Sequence, residues 1–397
     1  MIIKFLLSFL LCCSCLLGED LLPVYLTWQT DPTTTMTIQW LSKPEAKEAA
    51  LEYLKADETV WHKATGECQA LPHKAPYNIN RVFLQNLQPN AQYRFKIKDS
   101  EATHLFRTAP KELTEPFSFA VGGDVFPDDL QPFQEMTKQA SLHNPRFVLL
   151  GGDLAYTASV KRFRQEDFDR WFTFLSVLSK DLKDQSGCLI PLLVTIGNHD
   201  VVGSYGQTPE SAPFFYSLFA MPGIQGYNVL RFDNYLSLVL LDSGHTHPIA
   251  GAQTEWLNRE LQKQGNVLHR FAAYHVAAFP SVRYYRQAIP TTIRRNWVPL
   301  FEKYGVQAVF ENHDHAYKRT FPLISESHVP RGGVVYFGDG SWGVKPRIPK
   351  KASRTTYLAT AQSVRQFLNV TVSKTKRQFK AITEKGVVID EYEQVVD

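Results

Sequence analysis

The sequence predicts two domains of different class, an N-terminal all-β sandwich followed by a larger α/β domain. Three observations lead there. Residues 22–107 run in short stretches that alternate apolar and polar, the period of a half-buried strand. From about residue 114 the apolar runs become continuous and are followed by helix-length segments, the rhythm of strands covered on both faces. Those continuous runs then end, one after another, on Asp, Asn or His.

With 397 residues the chain can bury a large core, and 44% hydrophobic with 21% charged residues is the balance of a soluble globular protein. The 43 Lys and Arg against 39 Asp and Glu leave a formal net charge of +4. That is too small and too evenly spread to argue for a nucleic-acid or anionic-membrane partner. The opening MIIKFLLSFLLCCSCLLGED places Lys4 before an apolar stretch, Phe5 to Leu17, with charge returning at Glu19. The stretch is short for a bilayer, so residues 1–18 are predicted to be an export signal and the protein to be exported. Gly18 suits an ordinary cut, and Cys15 offers a lipoprotein-type lipid anchor as the one route to a membrane. Only Cys68 and Cys188 lie beyond this segment, far apart, so the protein is no disulfide scaffold, and the sequence leaves open whether these two pair. Nothing in the sequence sets an oligomeric state.

The sandwich is expected over 20–112, with strands in PVYLTW, TMTIQW, ALEYL, NRVFLQNL, AQYRFKI and HLFRT. Asp-Pro, Lys-Pro, Pro-Asn and Asp-Ser turn signals separate them. No acids, histidines or cysteines cluster here, so this part reads as a support or interaction module. The α/β domain is expected over 113–397. Its strands read FSFAVGGD, RFVLLGGD, LLVTIGNHD, YLSLVLLD, RFAAYH, VQAVFENH and VVYFGDG, and DFDRWFTFLSVLSKDLKD and QTEWLNRELQKQG carry helical spacing.

The strand ends carry the chemistry. In order they present Asp124; Asp153 with Tyr156 just beyond; Asn198, His199 and Asp200; His275; and His313 with His315. Carboxyl ends of strands in an open α/β sheet line one crevice, so these side chains can converge. A Gly-Gly-Asp alone is usually a turn, and a lone His after a strand is usually a core residue. Burying this whole series without partners would cost on the order of several kcal/mol per group, and a metal centre supplies the partners.

The series GD, GD-x-x-Y, GNHD, H and H-x-H is similar to that of the calcineurin-like metallophosphoesterases, and Tyr156 makes it resemble the purple acid phosphatases. LQPNAQY, residues 87–93, resembles the tyrosine corner of fibronectin type III domains, with Tyr93 bonding backbone and Trp40 as core tryptophan. VVYFGDGSWG resembles a further glycine-rich strand end of the phosphatase family. The resemblance implies a two-sheet β-sandwich core flanked by helices in the second domain. It implies Asp124, Tyr156 and His315 at one metal, Asn198, His275 and His313 at the other, and Asp153 between them, bridging cations roughly 3.5–4 Å apart. A phenol of pKa about 10 ionises only beside a strong Lewis acid, which points to Fe³⁺ at the Tyr156 site. Neutral His and Asn ligands suit Zn²⁺, Fe²⁺ or Mn²⁺ at the second. The mechanism expected is attack of metal-bound hydroxide on phosphorus, with His199 donating to phosphate or protonating the leaving alkoxide.

A second His-x-His, His245 and His247 in LLDSGHTH, falls out of the family's order; it is expected to be a solvated loop pair, with substrate contact as the alternative. The chain departs from the family at Phe126, expected to crowd the metal rim, and at Asn312, which stands where a Gly is usual. After His275 it offers Tyr285 and Arg286 where many plant relatives place a second substrate-contacting His. Arg286 reads either as a phosphate clamp or as a surface charge. The function expected is hydrolysis of phosphate monoesters, with a phosphodiesterase on nucleotides or headgroups as the alternative. A non-catalytic binding or adhesion protein is a third reading, against which the intact ligand series stands.

Overall fold

The computed structural model describes residues 22–158, 165–338 and 340–396; the expected export signal and Cys15 lie outside them. The first domain is one antiparallel sheet of seven strands folded on itself. Six of its strands fall on the alternating stretches. The seventh, His62–Ala70, has no apolar alternation because it is largely exposed, and it joins Ala49–Lys55 to Asn78–Leu84. Leu26, Ile38 and Trp40 from one half and Leu51, Phe95 and Phe106 from the other share one core. Tyr93 closes the corner as expected, its phenol oxygen accepting from the Gln88 N–H at 2.8 Å.

This domain is pinned to the next one. Tyr25 Oη donates to the Leu218 carbonyl at 2.6 Å, the Ala220 N–H donates to Gln39 Oε1 at 3.1 Å, and Trp28 meets Phe147 and Phe232 edge-on. The support reading of the sandwich therefore has a physical basis, a buried face on its neighbour.

The second domain stacks two sheets. One contains the parallel strands Phe117–Gly122, Val148–Leu150 and Leu192–Val194, extended by three antiparallel C-terminal strands. The other contains Leu236–Leu240, His269–Val276, Ala308–Asn312 and Val335–Gly338 in parallel, with antiparallel strands on both flanks. Phe119, Phe271, Phe310, Phe337 and Phe379 interlock between them. The two expected helices form at Phe168–Asp181 and Ala252–Gln262. All the parallel strands point the same series of side chains toward one edge. Cys68 and Cys188 are both free.

Two buried charges stand apart from the aromatic core. Glu311 and Lys318 form an ion pair with no exposed side-chain surface. Glu311 Oε1 also accepts from Tyr274 Oη and the Ala278 N–H, both at 2.7 Å, so the pair ties the Ala308–Asn312 strand to the loop after His275. Removing one partner strands the other's charge, so Lys318→Met is expected to cost about 3–5 kcal/mol in denaturant unfolding. Glu166 is buried beside the Trp171 and Phe214 N–H donors, and burial pushes its carboxyl up to about 8 from 4.5. The folded state then keeps a proton that the unfolded state gives up, so stability falls as pH rises from about 4.5 to about 8. Glu166→Gln should flatten the dependence of Tm on pH across that window.

Candidate metal centre

Five of the expected ligands, Asp124, Asp153, Tyr156, His313 and His315, have left-handed backbone, with φ between 51° and 76°. Non-glycine residues rarely adopt it, and each costs on the order of 1–3 kcal/mol. The strain turns the chain sharply as it leaves a strand and aims the side chain back over the sheet edge. Close approach of glycines makes room. A Cβ on Gly340 would stand 1.8 Å from Asp124 Oδ2, and one on Gly151 would stand 1.8 Å from Asn312 Nδ2. Asn312, the departure from the usual Gly, fills the space over Gly151 and donates to the Tyr274 carbonyl at 3.1 Å.

Two clusters result, sharing Asp153. In the first, His315 Nε2 lies 2.9 Å from Asp124 Oδ1, and Tyr156 Oη lies 3.3 Å from that oxygen and 3.4 Å from His315 Nε2. In the second, His275 Nε2 lies 3.1 Å from His313 Nδ1, 3.2 Å from Asn198 Oδ1 and 3.4 Å from Asp153 Oδ2. The structure thus brings all seven expected residues close together, in two clusters that share Asp153.

Their electrostatics fit cations. His275 Nδ1 donates to the Gly151 carbonyl at 2.9 Å, so in the neutral ring Nε2 is a lone pair facing other lone pairs. Asp153 Oδ2 is buried and accepts no hydrogen bond. Burial opposes charge on both groups, yet Asp153 pushes His275 up to about 9, and His275 and His199 hold Asp153 well below the carboxylate range. A proton on His275 relieves only part of the repulsion; a divalent ion relieves all of it and displaces that proton. Burial, then the charges of Asp124 and Asp153, push the Tyr156 phenol well above its ordinary range. Only a strongly acidic cation at that point would ionise it.

His199 stands beside the clusters. Its N–H donates to Asp153 Oδ1 at 2.7 Å, its ring stacks on Tyr156 at 4.6 Å, and its buried Nδ1 has no hydrogen-bond partner among the described residues. Asp200 accepts from Leu154 N at 2.8 Å and Gly197 N at 3.0 Å, clamping the two loops that carry Asp153 and Asn198.

Several expectations change. Phe126 does not crowd the rim; it is buried against Phe133, with the Arg170 guanidinium 4.7 Å from its ring. His245 is not solvated: it is wholly buried, Nδ1 donates to the Ser204 carbonyl at 2.9 Å, and Nε2 lies 3.1 Å from Ser243 Oγ. With both nitrogens engaged it has none left for a substrate. His247 is half-buried, 3.5 Å from Asp242. Tyr285 turns away to bond Glu326 and lie under the Arg294 guanidinium, while Arg286 is an exposed charge.

Tyr205 escaped the sequence reading because it sits in a polar loop, VVGSYGQ, with no motif around it. Its hydroxyl lies 3.4 Å from Asn198 Oδ1 and 3.3 Å from His313 Nε2, and its ring stacks on His245 at 5.0 Å. It can accept from His313 Nε2–H, which leaves Nδ1 free to face the cluster, and donate to Asn198. The out-of-order histidine therefore braces a residue that orients two others.

Residues 22–120 match the family described as purple acid phosphatase, N-terminal domain, and residues 117–317, half the chain, match the calcineurin-like phosphoesterases. The chain belongs to the calcineurin-like phosphoesterase family. The N-terminal match is to the phosphatase domain, and the fibronectin likeness stays a resemblance. Among relatives, purple acid phosphatase 15 of Arabidopsis thaliana is 24% identical over 345 residues, covering 75% of this chain and 62% of the relative. Fe(3+)-Zn(2+) purple acid phosphatase 12 of the same plant is 24% identical, covering 61% and 52%. An uncharacterized protein of Mycobacterium tuberculosis is 25% identical, covering 62% and 51%. The chain thus spans between about half and two thirds of the length of these relatives. The purple acid phosphatase PPD1 from yellow lupin (Lupinus luteus) seeds shares the fold with a TM-score of 0.76 at 15% identity, over 93% of this chain and 73% of that one. The structure of PhoD shares it at 0.69 and 13%, over 94% and 90%.

Replacing Tyr205 by Phe removes the hydroxyl and keeps the stack on His245. A divalent ion at the His275 and His313 cluster is expected to bind the variant about 10–100-fold more weakly, as read by chelator competition. Binding at the Asp124 cluster should be unchanged.

Proposed function

We propose that this phosphoesterase is an exported acid phosphatase that hydrolyses phosphate monoesters with two metal ions. Fe³⁺ would be held by Asp124, Tyr156 and His315, a Zn²⁺, Fe²⁺ or Mn²⁺ by Asn198, His275 and His313, and Asp153 would join the two. The observation that carries this reading is the phenol of Tyr156, buried among two carboxylates that oppose its ionisation. A tyrosine in such a place is of use to a trivalent ion and to little else. The family membership and the Fe(3+)-Zn(2+) relative support it. Export rests on residues 1–18 of the sequence.

When bound, the cations supply Lewis acidity, activating water as nucleophile and offsetting charge on the phosphoryl oxygens. The chain's own groups do the rest. The rigid strand ends hold phosphate in one place, which removes the orientational cost of the reaction. His199, which stacks on Tyr156, would donate a hydrogen bond to a phosphate oxygen and pass a proton to the departing alkoxide. Asp153 accepts its backbone N–H and so fixes where that ring starts. Asp200 keeps the two ligand loops in register without touching the reacting atoms.

The test is a visible spectrum and metal analysis of protein purified from its native host. A tyrosinate-to-iron charge-transfer band that disappears in Tyr156→Phe is the expected result. A colourless protein that still carries two metals would remove the ferric assignment.

A further inference from the structure

Two segments of one charge flank the metal centre on the His313 and His315 side. Segments 281–290 and 344–354 carry seven Lys or Arg between them and no Asp or Glu. That is a sharp local excess in a chain whose overall formal charge is only +4. Both loops are tied to the ligands themselves. The Arg347 N–H donates to the His315 carbonyl at 2.7 Å. The Arg283 guanidinium donates to the His313 carbonyl and, at 3.1 Å, to Asp314 Oδ1. The loops are also tied to each other: Lys350 N donates to the Ser281 carbonyl at 2.9 Å, and its ammonium bonds the Arg283 carbonyl.

Of these cations Arg283 is matched by Asp314, which also accepts its backbone N–H at 3.0 Å. Arg347 is different. It is exposed, and its guanidinium makes no ion pair or hydrogen bond with the described residues. It is partly desolvated by the loops around it, pushed down further by Arg283, and drawn the other way by Asp124 and Tyr156. It therefore stands within electrostatic reach of the centre yet outside the ligand cluster. The centre already attracts one phosphate through its cations. A free guanidinium beside it adds a planar, always-charged fork suited to a second oxyanion.

We propose that Arg347, with Arg283 behind it, forms a leaving-group subsite for a second phosphate, so that the preferred substrate is a small phosphoester carrying at least two phosphates. This rests on the phosphohydrolase reading for the first phosphate. A long polyanion is less favoured, since these two segments carry +7 of a chain whose formal net charge is +4. The second phosphate belongs either to a soluble ester or to a phosphorylated lipid headgroup, which share this chemistry.

The experiment uses metal-loaded full-length protein and a matched pair that cannot be hydrolysed, propylphosphonate and propane-1,3-bisphosphonate, by calorimetry. The bisphosphonate should bind at least about tenfold tighter, the gain expected of one added charge-assisted contact. In Arg347→Gln, at an exposed position, the ratio should collapse to within about twofold, and in wild type it should shrink with added salt. Equal affinities in wild type, or a ratio that Arg347→Gln leaves intact, would overturn the subsite. Turnover of phenyl phosphate by the same sample reads the hydrolase proposal separately; its absence would sink that proposal and leave the phosphonate ratio to decide the subsite. Pelleting with phosphatidylcholine vesicles that contain a bisphosphorylated inositol lipid, lost in Arg347→Gln, would assign the second phosphate to a headgroup. A preserved phosphonate ratio with no pelleting would assign it to a soluble ester.

Discussion

The structure is organised around electron pairs that face one another. Asp124, Asp153, Asn198, Tyr156 and three imidazoles turn their donor atoms inward within about the spacing of a hydrogen bond, in a place largely closed to water. Left to themselves such atoms repel, and protonation of His275 answers only one corner. The arrangement makes physical sense when cations occupy its centre, and much around it serves to hold it before they arrive. The left-handed turns at five of these residues are strain that a free loop would relax. Here rigid strands on one side and close backbone contacts on the other prevent it.

That rigidity is supplied in layers. The two sheets lock through their phenylalanines, and the ligand loops are then stitched to one another by Asp200 and by the Glu311–Lys318 pair. Each stitch satisfies buried polar groups that would otherwise cost stability. The N-terminal sandwich adds a further brace by burying Tyr25, Trp28 and Gln39 against the second domain. It approaches the site through none of the residues described above, so its contribution is to the fold that holds the site.

Around this centre the proposed function divides between two places. Inside, imidazoles, an amide, a phenol and two carboxylates would set which metals bind. On the His313 and His315 side, the Arg347 charge would select among phosphate esters. Between them stands Tyr205, which belongs to neither group but orients members of the first. It in turn leans on His245, so a motif that looks like a metal site is a support for one.

The sequence by itself determined the class of both domains and the identity of the inward-facing residues. Continuous apolar runs that stop on Asp, Asn or His can be read without coordinates, because strand burial and polar strand ends are local patterns. The exposed His62–Ala70 strand was illegible for the same reason: with both faces open to solvent it carries no alternation. What only the tertiary structure decided is where side chains without a motif end up. Phe126 turned into the helix layer, His245 into the core and Tyr205 toward the site, each by contacts with residues far away in the chain, while the backbone of Arg347 is tied to His315. Two His-x-His pairs are alike as sequence, and only packing distinguishes them. The pair at 313 and 315 joins the two clusters that share Asp153, while at 245 nearby backbone and hydroxyl groups claim both ring nitrogens.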